Sequence, residues 1–348
     1  MDKDAPIVSA TVNNNNSTNA TITISSNESG TYCVNTSSTA TDMSNCTFSG
    51  NITKDVSITT SIFTTKGDYY VHVKDNAENI GISNKVSISI GTPIGEYLLQ
   101  NPSTGLNTSA VYGGMYRYIG TNANNYVKLG DVLYRIIGIT TKTDNNTQLG
   151  IEANQLKLIK PSTIGNYKWH STSVNILWNN SDMYKYLQGA NVLGNSSIIP
   201  SGWSSKLVSI KWNIGDVQTY TNGDTVFDLE NNSITSNTSK VGLMYLSDYY
   251  YAYEDFMIGE PGKQNCYEGS CNSWLSDSSN NTFTMTRYGQ FGNSSYFVVW
   301  GLSTINYSYL PYVYDEIAVR PVFYLNKDVF IANPGASGTS TDPFILTY

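Results

Sequence analysis

The run Ile317-Ala318-Val319-Arg320-Pro321-Val322-Phe323-Tyr324-Leu325 constrains this chain most. It is apolar on both alternating faces, with Arg320 its single charge, so it reads as a strand that other layers must cover on either side. The segment feeding it, Ile305 to Asp315, carries four tyrosines with Asn, Ser, Pro and one Asp, and neither Lys nor Arg. Tyrosine offers a large rigid contact area at low entropic cost, while Ser and Asn adapt their hydrogen bonds. We therefore read a ligand-facing surface built from Trp300, Asn306, Tyr307, Ser308, Tyr309, Tyr312, Tyr314 and Asp315, joined by Ser295 and Tyr296. The plainer alternative is that these rings cover the core of a β-rich protein.

The 348 residues suffice for two domains with separate cores. Only 14% of them are charged, yet 40% are hydrophobic and 12% aromatic. A disordered chain lacks that apolar content, so the surface is solubilised by uncharged polar groups, as suits an extracellular β-rich protein. The net charge of −7 and the absence of any basic run argue against a nucleic-acid partner, which needs cations to neutralise phosphates. An anionic membrane surface is disfavoured for the same reason. No apolar run reaches the roughly 18 residues of a spanning helix, so direct membrane insertion is not expected. Met1-Asp2-Lys3-Asp4 does not read as a signal peptide, and we expect an ectodomain whose anchor lies on the N-terminal side.

Cys33/Cys46 and Cys266/Cys271 form two local pairs, which fits two disulfides in an oxidising compartment. Neither pair has metal-ligand spacing, and His72 and His170 are the only histidines. We expect no metal and no cofactor.

Residues 1–91 read as short strands between polar turns. Ala20 to Ser25 alternates with period two and is β-branched, the mark of a half-buried strand. Gly67 to Asn76 and Lys85 to Ile90 follow in the same rhythm. In the first of these His72 alternates with Val71 and Val73, so its ring is expected on the solvent face. Asp68, Asp75 and Glu78 are expected to cap backbone N–H groups at turns. Residues 92–95, inside the punctuation Gly91-Thr92-Pro93-Ile94-Gly95, read as a linker. From 96 to 348 the rhythm changes. Asp131 to Ile139 reads as a long strand, with Gln155 to Lys160 paired to it, and Lys240 to Asp248 as a buried strand. Between Ser173 and Leu187 apolar residues recur at helical intervals, and Asn180-Ser181-Asp182 could equally restart a helix.

Asp4-Ala5-Pro6, together with Gly67-Asp68-Tyr69-Tyr70-Val71-His72-Val73-Lys74-Asp75 and its turn, resembles the bacterial Ig-like repeats of surface proteins, although Glu78 stands where the family has Gly. The resemblance implies a β-sandwich spacer or stalk. The set Tyr134-Arg135-Ile136-Ile137-Gly138, Val241 to Tyr249, Ser273-Trp274-Leu275, Ala318 to Leu325 and Gly338 to Phe344 resembles C-terminal modules of surface proteins of low-GC Gram-positive bacteria. These are similar to the C-type-lectin-like fold of formylglycine-generating enzymes and of variable proteins diversified by retroelements. The implied fold class is mainly β and multidomain: an N-terminal Ig-like β-sandwich, then an α+β C-type-lectin-like domain. In the retroelement-diversified proteins adenine-directed mutagenesis acts on Asn-type codons near the C-terminus, and Asn293 to Asp315 has the matching composition. Tyr and Asn are, however, abundant throughout this chain.

Catalytic patterns are poor. Cys266 and Cys271 have the spacing of the thiol pair in formylglycine-generating enzymes but lack its Arg-Gly-Gly-Ser context, so a disulfide across a loop is the better reading. Glu260-Pro261-Gly262 and Trp178-Asn179-Asn180 miss the calcium-lectin motifs. Asp248, Glu254 and Asp255 beside Tyr249-Tyr250-Tyr251 do not define a glycosidase pair. Arg320 calls for a structural partner rather than a catalytic role. The expectation is a non-catalytic adhesion module on the cell surface with an extracellular protein or glycan as its ligand. A formylglycine-generating-type enzyme and a structural shaft or filament component are the alternatives.

Overall fold

The computed structural model describes residues 2–13, 20–88, 90–172, 178–217, 223–253, 273–275, 282–291, 294–300 and 313–348, the side chains of 288–291 and 294–300 excepted. The chain divides into two compact units, Met1–Thr92 with Tyr348, and Pro93–Thr347. It is mainly β, in several sheets.

The first unit contains β1 (Val8–Asn13), β2 (Thr21–Ser26), β3 (Gly30–Asn35), β4 (Phe48–Ile52), β5 (Ile58–Thr59), β6 (Gly67–Asp75), β7 (Ile80–Ile82) and β8 (Val86–Ile88). One sheet runs β1-β2-β5 and the other β4-β3-β6-β7, with β8 also on β6. The period-two alternation of β2 buries Ile22 and Ile24, which share one apolar core with Val34, Val71 and Val73 of the other sheet. Burying each such side chain contributes about 1.5–3 kcal/mol. Cys33 and Cys46 are bonded, closing a loop of separation 13 between β3 and β4.

His72 departs from its expected position: it is fully buried. Alternation does place it opposite Val71 and Val73, but the disulfide-closed loop folds over that face. The acids at the turns divide. Asp75 accepts from the amides of Ala77 and Asn79, as expected of a turn cap. Asp68 instead meets the Ser87 hydroxyl and the Lys85 ammonium across the strand pair. Glu78 adopts φ 76°, the left-handed conformation that a glycine would take at little cost.

The second unit opens with α1 (Ile94–Gln100). This corrects the linker reading, since Ile94 and Gly95 are buried in the helix's first turn. A Cβ on Gly95 would lie 2.3 Å from the Asn154 carbonyl oxygen, so glycine permits close packing there. There follow β9 (Leu106–Tyr112), β10 (Met115–Tyr118), β11 (Tyr126–Leu129), β12 (Val132–Thr140), α2 (Asp144–Leu149), β13 (Leu156–Ile159), β14 (Asn166–Tyr167), α3 (Asp182–Gln188), α4 (Gly223–Glu230), β15 (Val241–Leu243) and α5 (Leu246–Tyr251). The last strands are β16 (Thr282–Phe291), β17 (Ser294–Trp300), β18 (Ile317–Ala318), β19 (Pro321–Leu325), β20 (Phe330–Ile331) and β21 (Phe344–Thr347). Gly113 and Gly114, both at positive φ, make the two-residue turn of the β9–β10 hairpin. Ser181 caps α3 by accepting from the Tyr184 amide, so the helix restarts there.

The large sheet runs β15-β19-β13-β12-β11-β21-β20, with β10 on β12 and β9 on β10. Its β12–β13 pairing is the one expected from the sequence. A second sheet runs β14-β18-β16-β17. The apolar run Ile317–Leu325 is thus divided: β18 belongs to the small sheet and β19 to the large one. Between them Arg320 is buried, donating to the carbonyls of Lys160 and Leu275. The run Lys240–Asp248 is divided too, because the strand stops at Leu243 and Asp248 lies in α5. The Asp248 carboxylate accepts from the Tyr245 amide at that helix's N-terminus, which ends the strand.

Candidate functional site

The proposed binding surface meets the described structure at its C-terminal base. Asn306, Tyr307, Ser308, Tyr309 and Tyr312 lie outside the described residues, as do the side chains of Ser295, Tyr296 and Trp300 in β17 and the pair Cys266/Cys271. Tyr314 is 37% exposed and Asp315 half-buried. The backbone just before them is fixed, since the His170 amide donates to the Val313 carbonyl at 2.8 Å and β14 pairs antiparallel with β18.

Around this base stand groups that sequence reasoning did not assign to it. The half-buried rings of Tyr167 and Tyr186 stack with centroids 4.0 Å apart at 20°. Burial, then the neighbouring Tyr167, raises the Tyr186 hydroxyl above its ordinary range. His170 Nδ1 lies 3.1 Å from Asp182 Oδ2, with Lys185 on the other carboxylate oxygen at 3.4 Å and Lys168 3.9 Å from Glu316. Burial pushes Asp182 up, but the Ser171 hydrogen bonds, His170 and Lys185 outweigh it and hold the carboxyl below its usual range. Aromatic faces, an imidazole and exposed amines of this kind can stack on a partner and hydrogen-bond to it.

A second cluster lies in the interior. Asp248 accepts from Arg117 at 2.5 Å on one oxygen and from Lys157 at 2.6 Å on the other, and all three side chains are at most 2% exposed. The Lys157 ammonium also sits over the Tyr245 ring at 4.5 Å and the Tyr324 ring at 5.5 Å. Glu230, equally buried, accepts from the Ser247 amide, the Ser247 hydroxyl and the Thr286 hydroxyl. Burial raises Asp248, yet Lys157 and Arg117 more than reverse this and hold it low. Burial brings Lys157 down to about 8 and carries Glu230 up to about 7. Through Asp248 the cluster ties β10 and β13 to α5, and through Glu230 it ties α4 to α5 and β16. Sequence reasoning missed it. Lys157 lies inside the run Gln155 to Lys160, which reads only as a strand, and Asp248 reads as one of several loose acids.

The motif Ser273-Trp274-Leu275 is held by two arginines. Arg135 donates to the Trp274 carbonyl at 2.8 Å and lies between the rings of Tyr126 and Trp274, at 4.5 and 4.4 Å. Arg320 holds the Leu275 carbonyl, and the Trp274 indole donates to the Tyr118 carbonyl.

A groove of about 460 Å³ is lined by Thr104 to Ser109 and Ile119 to Asn122, residues of which none is charged. In the first unit, carboxylate oxygens of Asp2, Glu28 and Asp75 lie within 4.8 Å of one another. Burial, then Asp2 and Asp75, raises Glu28, while the Asp75 oxygens are taken up by backbone and Asn79 donors.

No family model, no curated protein and no solved structure matches this chain.

Proposed function

We propose that the chain is a non-catalytic cell-surface binding protein: an Ig-like sandwich serves as spacer, and a C-type-lectin-like α+β domain presents a Tyr/Asn/Ser-rich face to an extracellular protein or glycan. The observation that carries this reading is the base of the segment. Tyr314 stands exposed where the chain leaves it, on a backbone fixed by the Val313 carbonyl and by the β14–β18 pair, in which Tyr167 of the stacked pair Tyr167–Tyr186 lies opposite Ile317. A fixed base lets tyrosines bind with little ordering cost, and each ring buried against a partner contributes on the order of 1–2 kcal/mol. The buried charges point the same way, being taken up in holding sheets and helices together.

The test is a binding screen of the full chain on immobilised extracellular-matrix proteins and a glycan array, with the triple variant Y307A/Y309A/Y312A alongside. The expected result is loss of the wild-type signal with the thermal midpoint nearly unchanged. A large fall in the midpoint would make these rings core and overturn the reading. Retroelement diversification belongs to the same proposal, and genes from sibling strains test it: substitutions should concentrate in the Asn-type codons of 293–315.

A further inference from the structure

His72 sits on β6 directly opposite Cys33 of β3 and Ile82 of β7. Its ring is fully buried beneath the loop 36–45. Nδ1 lies 3.2 Å from the Ala40 carbonyl oxygen. Nε2 lies 3.1 Å from both the Ser37 carbonyl oxygen and Asn35 Oδ1. The two carbonyls can only accept. The Asn35 amide is oriented by its own bonds, its nitrogen donating to the carbonyls of Asp42 and Ser44 and its oxygen accepting from the Ser37 amide. Among the described residues every partner of the ring is therefore an acceptor. A neutral imidazole donates from one nitrogen only and would aim the other's lone pair at a buried oxygen. The doubly protonated ring satisfies both sides.

The surroundings admit that charge. From the loop, the Ser44 hydroxyl and amide, then the Ser37 hydroxyl, hold the Asp42 carboxyl below its usual range. On the same face of β6 stand Tyr70 and Lys74, and Lys74 is already paired with Glu78. The facing residues of β3 and β7, namely Thr31, Cys33, Asn35, Ile80 and Ile82, bring no charge, because Cys33 is in the disulfide.

We propose that the loop 36–45 is a proton-dependent latch, closed on doubly protonated His72 and released as the ring gives up its second proton. The disulfide at Cys33 and Cys46 keeps the released loop tethered at its base, so the change is local. Because the closed loop requires the protonated ring, the latch is tight in acid and loosens as the pH rises.

The experiment uses the full chain, which has only two histidines, so that a His170→Gln variant assigns the ring signals. Ring ¹⁵N shifts of His72 and amide exchange of residues 36–45, corrected for intrinsic exchange, are followed between about pH 5 and about pH 9. At the acid end both ring nitrogens should carry protons. Loop protection should fall about tenfold across the range, the equivalent of one buried hydrogen bond, while β2 and β6 keep theirs. A His72→Gln variant should abolish the pH dependence. A ring that remains a single neutral tautomer throughout, or loop protection that does not change with pH in the wild-type chain, would overturn the latch; both readouts stand even if the variant fails to fold.

Discussion

Replacing Asp248 by Asn removes the anion that two buried cations share. Arg117 and Lys157 are 2% and 0% exposed, so neither can turn to water when the carboxylate is lost. Breaking a buried pair from one side costs about 3–5 kcal/mol, chiefly through the uncompensated charge left behind. The new amide also points an N–H₂ at one of the cations. For a unit of roughly 250 residues the unfolding entropy is about 0.5 kcal/mol per kelvin, so this cost lowers the midpoint by about 6–10 °C. Scanning calorimetry of the full chain should show one transition moving by that amount while the first unit's transition stays in place. Lys157→Met should cost much less, because Asp248 keeps Arg117 and the methionine fills the space between Tyr245 and Tyr324. A shift below about 2 °C for Asp248→Asn would mean that water or rearrangement relieves the cations, and the sealed-cluster account would be wrong.

The neighbouring carboxyl gives a pH signature. Glu230 is carried from 4.5 to about 7 by burial, so the protonated form is favoured in the folded unit. Its contribution of about 3 kcal/mol is complete below the unfolded value and is lost as the pH rises through about 7. Denaturant titrations at about pH 5 and about pH 8 should therefore show the second unit weaker at the higher pH, and Glu230→Gln should flatten the difference. Paired replacement of Cys33 and Cys46 by Ser should lower the first unit's stability by about 3 kcal/mol, read as a lower denaturant midpoint, with no change in the second unit. Peptide mapping without reduction should find Cys266 bonded to Cys271, and free thiols there would reopen the enzymatic alternative. Expressed separately, residues 93–347 should fold, judged by a cooperative thermal transition.

The elements most legible in the sequence were those whose period matched their burial. Ile22 and Ile24 in β2, and the β12–β13 pairing, follow from alternation and β-branching because one rule governs both the local conformation and the buried face. Legibility failed where a distant segment changed a face's environment. His72 obeys the alternation and is buried anyway, because a disulfide-closed loop covers its side of the sheet. Leu246 to Asp248 reads as the end of the strand begun at Lys240, since the apolar run masks the Asp248 cap that turns the chain into a helix. The cluster of Arg117, Lys157, Asp248 and Glu230 was invisible because its members come from four separate elements. Composition was least decisive for tyrosine. Tyr245, Tyr249, Tyr250, Tyr251 and Tyr324 are buried while Tyr314 is exposed, so tyrosine content by itself separates neither surface from core.

The division of Ile317–Leu325 between two sheets bears on how the preceding segment can change. β18 is registered against Asn166 and Tyr167, and β19 against both Leu156–Ile159 and Val241–Leu243. Buried Arg320 bolts the crossing point to Lys160 and Leu275. A one-residue slip here would turn every side chain of β19 to the wrong face, so the register is held by several partners at once. Insertions, deletions or wholesale replacement upstream of Ile317 must then be absorbed before the chain reaches it. The fold thereby sets a boundary: from Ile317 onward the register is pinned in both sheets, and the backbone is already held at Val313 by the His170 amide.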